Sequence, residues 1–283
     1  MKRKIAILTD SSSSIYNIKH NYENVFMINL PCFLGDAVYT DFETNGNEAF
    51  YKAIKESPEV PKTSQPSIGE SLEAYKKIKN LGYTDILVLP ISKELSGTYQ
   101  NAYLAKSMID DINIVIVDTL TTVSVLSGMV LETAKMIKED KSIDQVLERI
   151  EEMKGQWGYY VTVDNLTALI KNGRLSNAKG FVANLLKIKP VIKFSRDGKL
   201  TALQNVRTYN RALKEVVNKV VNEVSTETGV IHLSYTNNTA DMELVKALIL
   251  ERLPNIKIEV YTLPATVVAH VGLAAIGVGY INY

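Results

Sequence analysis

Ile86-Leu87-Val88-Leu89-Pro90 is an apolar run, and shortly after it the chain reads Leu95-Ser96-Gly97-Thr98-Tyr99-Gln100 before a helix-like pattern begins. Strand, polar loop and helix in that order form the unit from which α/β proteins build ligand sites. Ser96 and Thr98 supply hydroxyls, Gly97 lets another group approach the backbone, and the free amides at the start of the next helix favour an anion. Lys62-Thr63-Ser64-Gln65-Pro66-Ser67 is a second polar turn of the same character. The same residue types also serve as plain helix caps, and residue chemistry taken alone favours capping.

Outward from this unit, apolar runs alternate with amphipathic ones, as a parallel sheet covered by helices requires. Strands are expected at residues 5–9, 25–30, 85–89 and 113–117. Ser67 with Glu70 forms a capping box ahead of the apolar face Ile68, Leu72, Tyr75 and Ile78, and Ser142 with Gln145 repeats the device ahead of Ile143, Val146, Leu147, Ile150 and Met153. That second pattern closes at Lys154-Gly155, where a domain boundary is placed. The fold class is α/β in two domains, residues 1–155 as an α/β/α unit on a mainly parallel sheet and residues 156–283 as an α/β unit on a mixed sheet. In the second half, residues 157–163 read as a strand, and Asp164 is expected to cap a short helix ending at Asn172-Gly173. Residues 190–194 and 200–206 flank Ser195-Arg196-Asp197-Gly198, whose Asp-Gly is a hairpin signal that implies antiparallel pairs. Ala212, Val216, Val220 and Val224 mark a helix, 230–234 a strand, 239–252 a helix and 256–263 a strand. Residues 263–281 are almost uncharged and about as long as a bilayer span, but Pro264, His270 and the glycines 272, 277 and 279 argue for a buried helix followed by a strand.

Composition excludes several classes. The 283 residues, 46% hydrophobic, suffice for two domains with real cores, and 32 basic against 31 acidic residues leave +1. Such a balance provides no footprint for nucleic acid and no basic tail for a membrane surface. Cys32 has no partner for an internal disulfide and sits in an apolar segment, which suits a core position and a reducing, cytoplasmic setting. Lys2, Arg3 and Lys4 resemble the start of a signal peptide, but only residues 5–8 are apolar before Asp10 and the serines at 11–14, so a first strand is expected instead. Gly277-x-Gly279 lacks the strand-turn-helix setting of a dinucleotide loop, and no Walker loop is present. His20, His232 and His270 are scattered, and Asp10 and Asp118, at strand ends, are expected to cap turns, so no metal is expected. Ser96 lies in Glu-Leu-Ser-Gly-Thr rather than in a nucleophile elbow, and no catalytic residue or cofactor is expected. Of the serines at 11–14, Ser11 is the one expected near a ligand.

In order along the chain, Thr9-Asp10-Ser11-Ser12, Lys62-Thr63-Ser64-Gln65-Pro66-Ser67, Leu95-Ser96-Gly97-Thr98-Tyr99-Gln100, Val117-Asp118-Thr119, Lys171-Asn172-Gly173-Arg174, Lys189-Pro190 and His270-x-Gly272 resemble the DegV family over nearly the whole length. The resemblance implies a non-catalytic protein that binds a long-chain fatty acid between its domains, carboxylate at the hydroxyls and tail in an apolar tunnel. It also implies a partner, the catalytic subunit of a fatty acid kinase, with peripheral membrane contact for ligand exchange. By motif, Thr63 and Ser96 would bond the carboxylate, the Gly97 amide would add a donor, and His270 would complete the cluster. Arg174 would sit near the mouth, orienting the head group or meeting the kinase. Without the resemblance, Arg174 reads as a surface residue near a helix end and His270 as a satisfied interior histidine. The family pattern often has His-x-Gly-Pro-Gly where this chain has Leu273-Ala274, so the segment after His270 is expected to be able to follow another path. Two other readings stay open, an enzyme or binding protein for a small phosphorylated or carbonyl ligand, and an interaction protein with an empty cleft.

Overall fold

The computed structural model describes residues 3–40, 46–177 and 188–283. β1 (Ile5–Asp10) is buried at every position, and β2 (Val25–Ile28), β6 (Asp85–Leu89) and β7 (Asn113–Ile116) align beside it in the all-parallel order β2-β1-β6-β7. Helices cover both faces, so alternate residues of one strand enter different cores. Leu8, Ile86 and Ile114 pack on Tyr75 and Ile78 of α2 (Ile68–Asn80) and Ala102 and Ala105 of α3 (Thr98–Lys106). Ile7, Leu87 and Leu89 pack on Leu126 and Val130 of α4 (Val123–Lys138) and Val146 and Ile150 of α5 (Ile143–Lys154). Both expected capping boxes form. Glu70 N donates to Ser67 Oγ at 3.2 Å while Ser67 N donates to Glu70 Oε2 at 2.7 Å, and Ser142 with Gln145 repeats the exchange at 3.2 and 3.0 Å.

Between β2 and α2 lies an element that the alternation of runs does not announce. β3 (Cys32–Leu34), β4 (Ala37–Tyr39) and β5 (Lys62–Thr63) form a small antiparallel sheet in the order β4-β3-β5, with α1 (Gly46–Glu56) between β4 and β5. Strands this short leave no periodicity, but Gly35-Asp36 is a two-residue hairpin loop with Gly35 at φ +58°. Cys32 is fully buried in this sheet, as its apolar neighbours imply. The pairing of Cys32 with Thr63 fixes Thr63 in register.

The second half carries a six-stranded sheet ordered β10-β9-β8-β13-β11-β12, built from β8 (Trp157–Val163), β9 (Lys189–Phe194), β10 (Leu200–Val206), β11 (Gly229–Tyr235), β12 (Lys257–Thr262) and β13 (Ala275–Asn282). It is mixed, since β11 and β12 run parallel and the other neighbours antiparallel. Gly198, at φ +84°, closes the expected hairpin, with its N–H on Ser195 O at 2.9 Å. One face, with Ile231, Leu233 and Val278, packs on α7 (Tyr209–Glu223) and α8 (Thr239–Arg252). The other, with Trp157, Tyr159 and Val161, packs on α9 (Ala265–Val271) and on Val125 and Met129 of α4. Gly277 and Gly279 make that contact possible, because a Cβ there would lie 2.2 Å from Tyr159 Oη and 2.4 Å from its Cδ2. Their spacing therefore answers to an aromatic ring and not to a nucleotide.

Residues 263–281 form α9 and β13, and no helix among the described residues is long and apolar enough to cross a membrane. One expectation fails in detail. Asp164 does not cap α6 (Thr167–Lys171), because its N–H on Ala274 O at 3.0 Å keeps it in line with β8 and its carboxylate pairs with Lys189. Asn165 Oδ1 accepts from Thr167 N at 2.8 Å instead.

Candidate functional site: a hydroxyl-lined cavity at the strand ends

In a parallel sheet the loops after the carboxyl ends of the strands converge, and the site lies there. After β1, Asp10 caps a turn of 3-10 helix at Ser11–Ser13, as strand-end Asp is expected to do. Its Oδ1 accepts from Ser12 N at 3.0 Å and Ser12 Oγ at 2.6 Å, and its Oδ2 accepts from Ile91 N at 2.7 Å, which ties the β1 and β6 loops together. Burial pushes this carboxyl up, against the hydrogen bonds from Ser12 and Ile91. After β7, Asp118 Oδ1 accepts from Leu120 N and Lys93 N, and Thr119 Oγ1 donates to Pro90 O at 2.7 Å. Leu120 and Val123, at φ +55° and +53°, are forced into left-handed backbone around Thr122. Across from these loops, Ser92 Oγ donates to Gly198 O in the second half at 2.9 Å.

Where the loops meet the second half, they line a partly open cavity with about 540 Å³ of space between atoms, some of it open to solvent. Leu30, Ile91 and Leu95 of the first half face Leu169, Leu200, Val267 and Val271 of the second. Of the residues expected at a ligand, Thr63, Ser96, Arg174 and His270 all line it. Thr63 Oγ1 lies 2.8 Å from His270 Nε2, a contact between residues 207 positions apart in sequence. Ser96 Oγ lies 2.8 Å from Thr98 Oγ1 and accepts from Thr98 N at 3.3 Å, so Ser96 contributes to the start of α3 while facing the cavity.

His270 is not the satisfied interior histidine of the plainer reading, because its Nδ1 is buried with no hydrogen-bond partner. Burial first, and the Arg174 guanidinium second, lower its pKa to about 4, so the ring is neutral at pH 7. Arg174 donates from Nε to Leu95 O at 3.2 Å and from Nη1 to Asn172 O, and Asn172 Nδ2 reaches Pro61 O at 3.0 Å. Arg174 pairs with no carboxylate among the described residues, and no acidic side chain lines the cavity. A half-buried cation with only carbonyl partners, beside a neutral histidine and several hydroxyls, is a site electrostatically short of an anion.

Gly97 is not brought to the cavity wall. The space a side chain would take there is filled by Gln65, whose Oε1 would lie 1.7 Å from a Cβ on Gly97. Ser11 does not line the cavity either, since its Oγ accepts from Leu30 N at 3.0 Å, and Ser12 takes its place. Ser64, Thr122 and Thr266 also line the cavity and were not anticipated. After His270 the chain turns at Gly272, φ +78°, with Gly272 N on Val268 O at 2.8 Å, and Ala275 begins β13. Asp10 and Asp118 face no third acidic or histidine ligand, and no group of three metal-binding side chains occurs among the described residues.

The model of the DegV family, described as a family of uncharacterised proteins, matches residues 4–283. A DegV domain-containing protein of Staphylococcus aureus is 31% identical over 282 residues, covering 99% of this chain and 98% of that protein. The crystal structure of a fatty acid binding DegV family protein from Streptococcus agalactiae superposes with a TM-score of 0.92 at 26% identity, covering 99% of each chain. The fold is also that of the Streptococcus pneumoniae fatty acid kinase B3 protein loaded with linoleic acid, with a TM-score of 0.86 at 23% identity over 99% of this chain and 100% of the other. With its motifs, its sheet topology and a family match over almost its entire length, this chain belongs to the DegV family.

Proposed function

We propose that the protein binds a long-chain fatty acid in this cavity and presents its carboxylate to a separate fatty acid kinase subunit, which forms the acyl phosphate. The observation that supports the reading is the Arg174 cation, which has no carboxylate partner among the described residues, beside Thr63, Ser96 and His270 on a wall whose remaining surface is largely apolar. An acyl chain of about 15 methylenes at roughly 0.8 kcal/mol each contributes a gross term near ~12 kcal/mol, reduced by the cost of ordering the chain. The tail therefore supplies the affinity. Burying a carboxylate with no partner would cost several kcal/mol, and the hydroxyls, with Arg174 at the mouth, offset that cost and fix the head group. Hydroxyl donors leave the carboxylate oxygens able to attack a phosphoryl group held by the partner, without reacting themselves. The division of labour makes this chain a carrier and not a catalyst.

In this reading residues 1–155 and 156–283 act as two domains that hold the acid between them, and the kinase partner sets a cytoplasmic location. A small polar ligand would use the same hydroxyls but would leave Leu30, Ile91, Leu169 and Val267 facing empty space. Denaturing the purified protein, extracting it with organic solvent and analysing the extract by mass spectrometry tests the proposal. Copurified fatty acid in stoichiometric amount is expected. Its absence from repeated preparations, together with no binding of added acid, would overturn the reading.

A further inference from the structure

Thr122 occupies the N-cap position of α4, where a threonine oxygen ordinarily accepts from a backbone N–H, yet it makes no such bond. Its single proton goes to Ser12 Oγ at 2.9 Å, with Ser12 O at 3.4 Å as the other acceptor within reach. The single proton of Ser12 goes in turn to Asp10 Oδ1 at 2.6 Å. Asp10 is fully buried and also accepts two backbone N–H bonds, from Ser12 and Ile91, which hold it as an acceptor. The direction of this chain is therefore set from its buried end, where each Asp10 oxygen is held as an acceptor by a backbone N–H, Oδ1 by Ser12 and Oδ2 by Ile91, and the Ser12 hydroxyl donates to Oδ1. Ser12 and Thr122 both line the cavity, and both protons point away from it.

Two kinds of hydroxyl thus face one space. At Ser96, whose hydroxyl pairs with Thr98 behind it, either oxygen of the pair can be the donor, so the Ser96 proton is able to turn toward a ligand. At Ser12 and Thr122 only lone pairs are on offer. A carboxylate gains nothing there, and a methylene leaves the lone pairs of the Thr122 oxygen, whose proton goes to Ser12, without a donor. A hydrogen-bond donor on the ligand satisfies them.

We propose that Ser12 and Thr122, with their protons committed to Asp10, form an acceptor subsite for a hydroxyl group on the cargo, so that the cavity prefers a hydroxylated long-chain acid to the unsubstituted one. The proposal rests on the reading of the cavity as a fatty acid site and adds a specificity element to it. The test is calorimetric titration of delipidated protein with hexadecanoic acid and with a series of hydroxyhexadecanoic acids in which the hydroxyl moves along the chain. At one or two positions the hydroxylated acid should bind roughly three- to tenfold tighter than the plain acid, the worth of one neutral hydrogen bond. That ratio should fall to about one in Thr122→Val and return in Thr122→Ser. In Ser12→Ala, which frees the Thr122 proton, the ratio should also shrink. A wild-type protein that prefers no hydroxylated position overturns the proposal, and so does a preference retained in Thr122→Val or, where that variant does not fold, in Thr122→Ala. Binding of the plain acid without any such preference refutes the subsite alone, whereas failure of every acid to bind refutes the fatty acid reading beneath it.

Discussion

Replacing Thr63 by valine keeps the shape of the side chain and suits its position in β5, but it removes the 2.8 Å contact with His270 Nε2. The His270 Nδ1 is already without a partner, so the variant leaves both ring nitrogens of a buried neutral imidazole unsatisfied. Leaving one such group unmade costs about 2 kcal/mol, which for a protein of this size lowers Tm by roughly 4–8 °C. His270→Leu removes the unsatisfied ring altogether, and in that background Thr63→Val exchanges a lone hydroxyl for a methyl facing an apolar neighbour. The two changes should therefore not add. Urea unfolding of the delipidated wild type, the two single variants and the double variant forms a double-mutant cycle, with an expected coupling of about 1–2 kcal/mol. Thr63→Val costing the same in both backgrounds would refute the argument that Thr63 and His270 form one preassembled unit.

Ser96→Ala should weaken fatty acid binding or delivery while the fold stays intact, since its Oγ supports only the first amide of α3 besides facing the cavity. Unchanged affinity and unchanged acyl phosphate formation in a reconstituted kinase assay would remove Ser96 from the site. His232, buried in β11, has its pKa lowered to about 4 by burial, partly countered by Glu259. The folded ring is neutral while the unfolded one binds a proton below about 6.5, so stability rises with pH between about 4 and 6.5 and is lost as pH falls through that window. The shift corresponds to about 3 kcal/mol, and denaturation midpoints at pH 7 and pH 4.5 should show a loss of that order that shrinks in His232→Leu. Equal slopes in the two proteins would count against it. Gly97→Ala should be nearly neutral, because the Gln65 end that occupies the space is exposed and can swing away. Gly277→Ala, which drives a Cβ into the buried Tyr159 ring, should cost roughly 1–3 kcal/mol, and the reverse order by thermal denaturation would contradict the packing described.

The parts of the fold that could be read from the residues are those where burial leaves a pattern. Fully buried strands such as β1 and β6 appear as unbroken apolar runs, and the capping boxes at Ser67 and Ser142 announce α2 and α5 by a side chain whose partner is three residues away. The β3-β4-β5 sheet has strands of two or three residues, too short for periodicity, and only Gly35-Asp36 signals its hairpin. Asp164 misleads because its nearest-neighbour chemistry suits a cap, while a tertiary hydrogen bond to Ala274 ties it to the end of β8. Local signals state what a residue is able to do, and the tertiary contact decides whether it does.

The same distinction separates the cavity-lining residues that the motifs indicate from those that they do not. Thr63 and Ser96 lie in short motifs whose composition already suggests a polar turn, and the family pattern then joins them to His270 and Arg174. Gly97 belongs to the same motif, and its lack of a side chain leaves the room that Gln65 occupies. Ser12 and Thr122 carry no local sign of their role, because that role exists only as a relation. They stand 110 residues apart, and the direction of the proton between them is imposed by Asp10 beneath both. Motif chemistry identifies groups able to donate to an anion. Only the folded arrangement shows which hydroxyls have already given their proton away, and a cavity that holds both kinds can discriminate between cargoes that differ by a single oxygen.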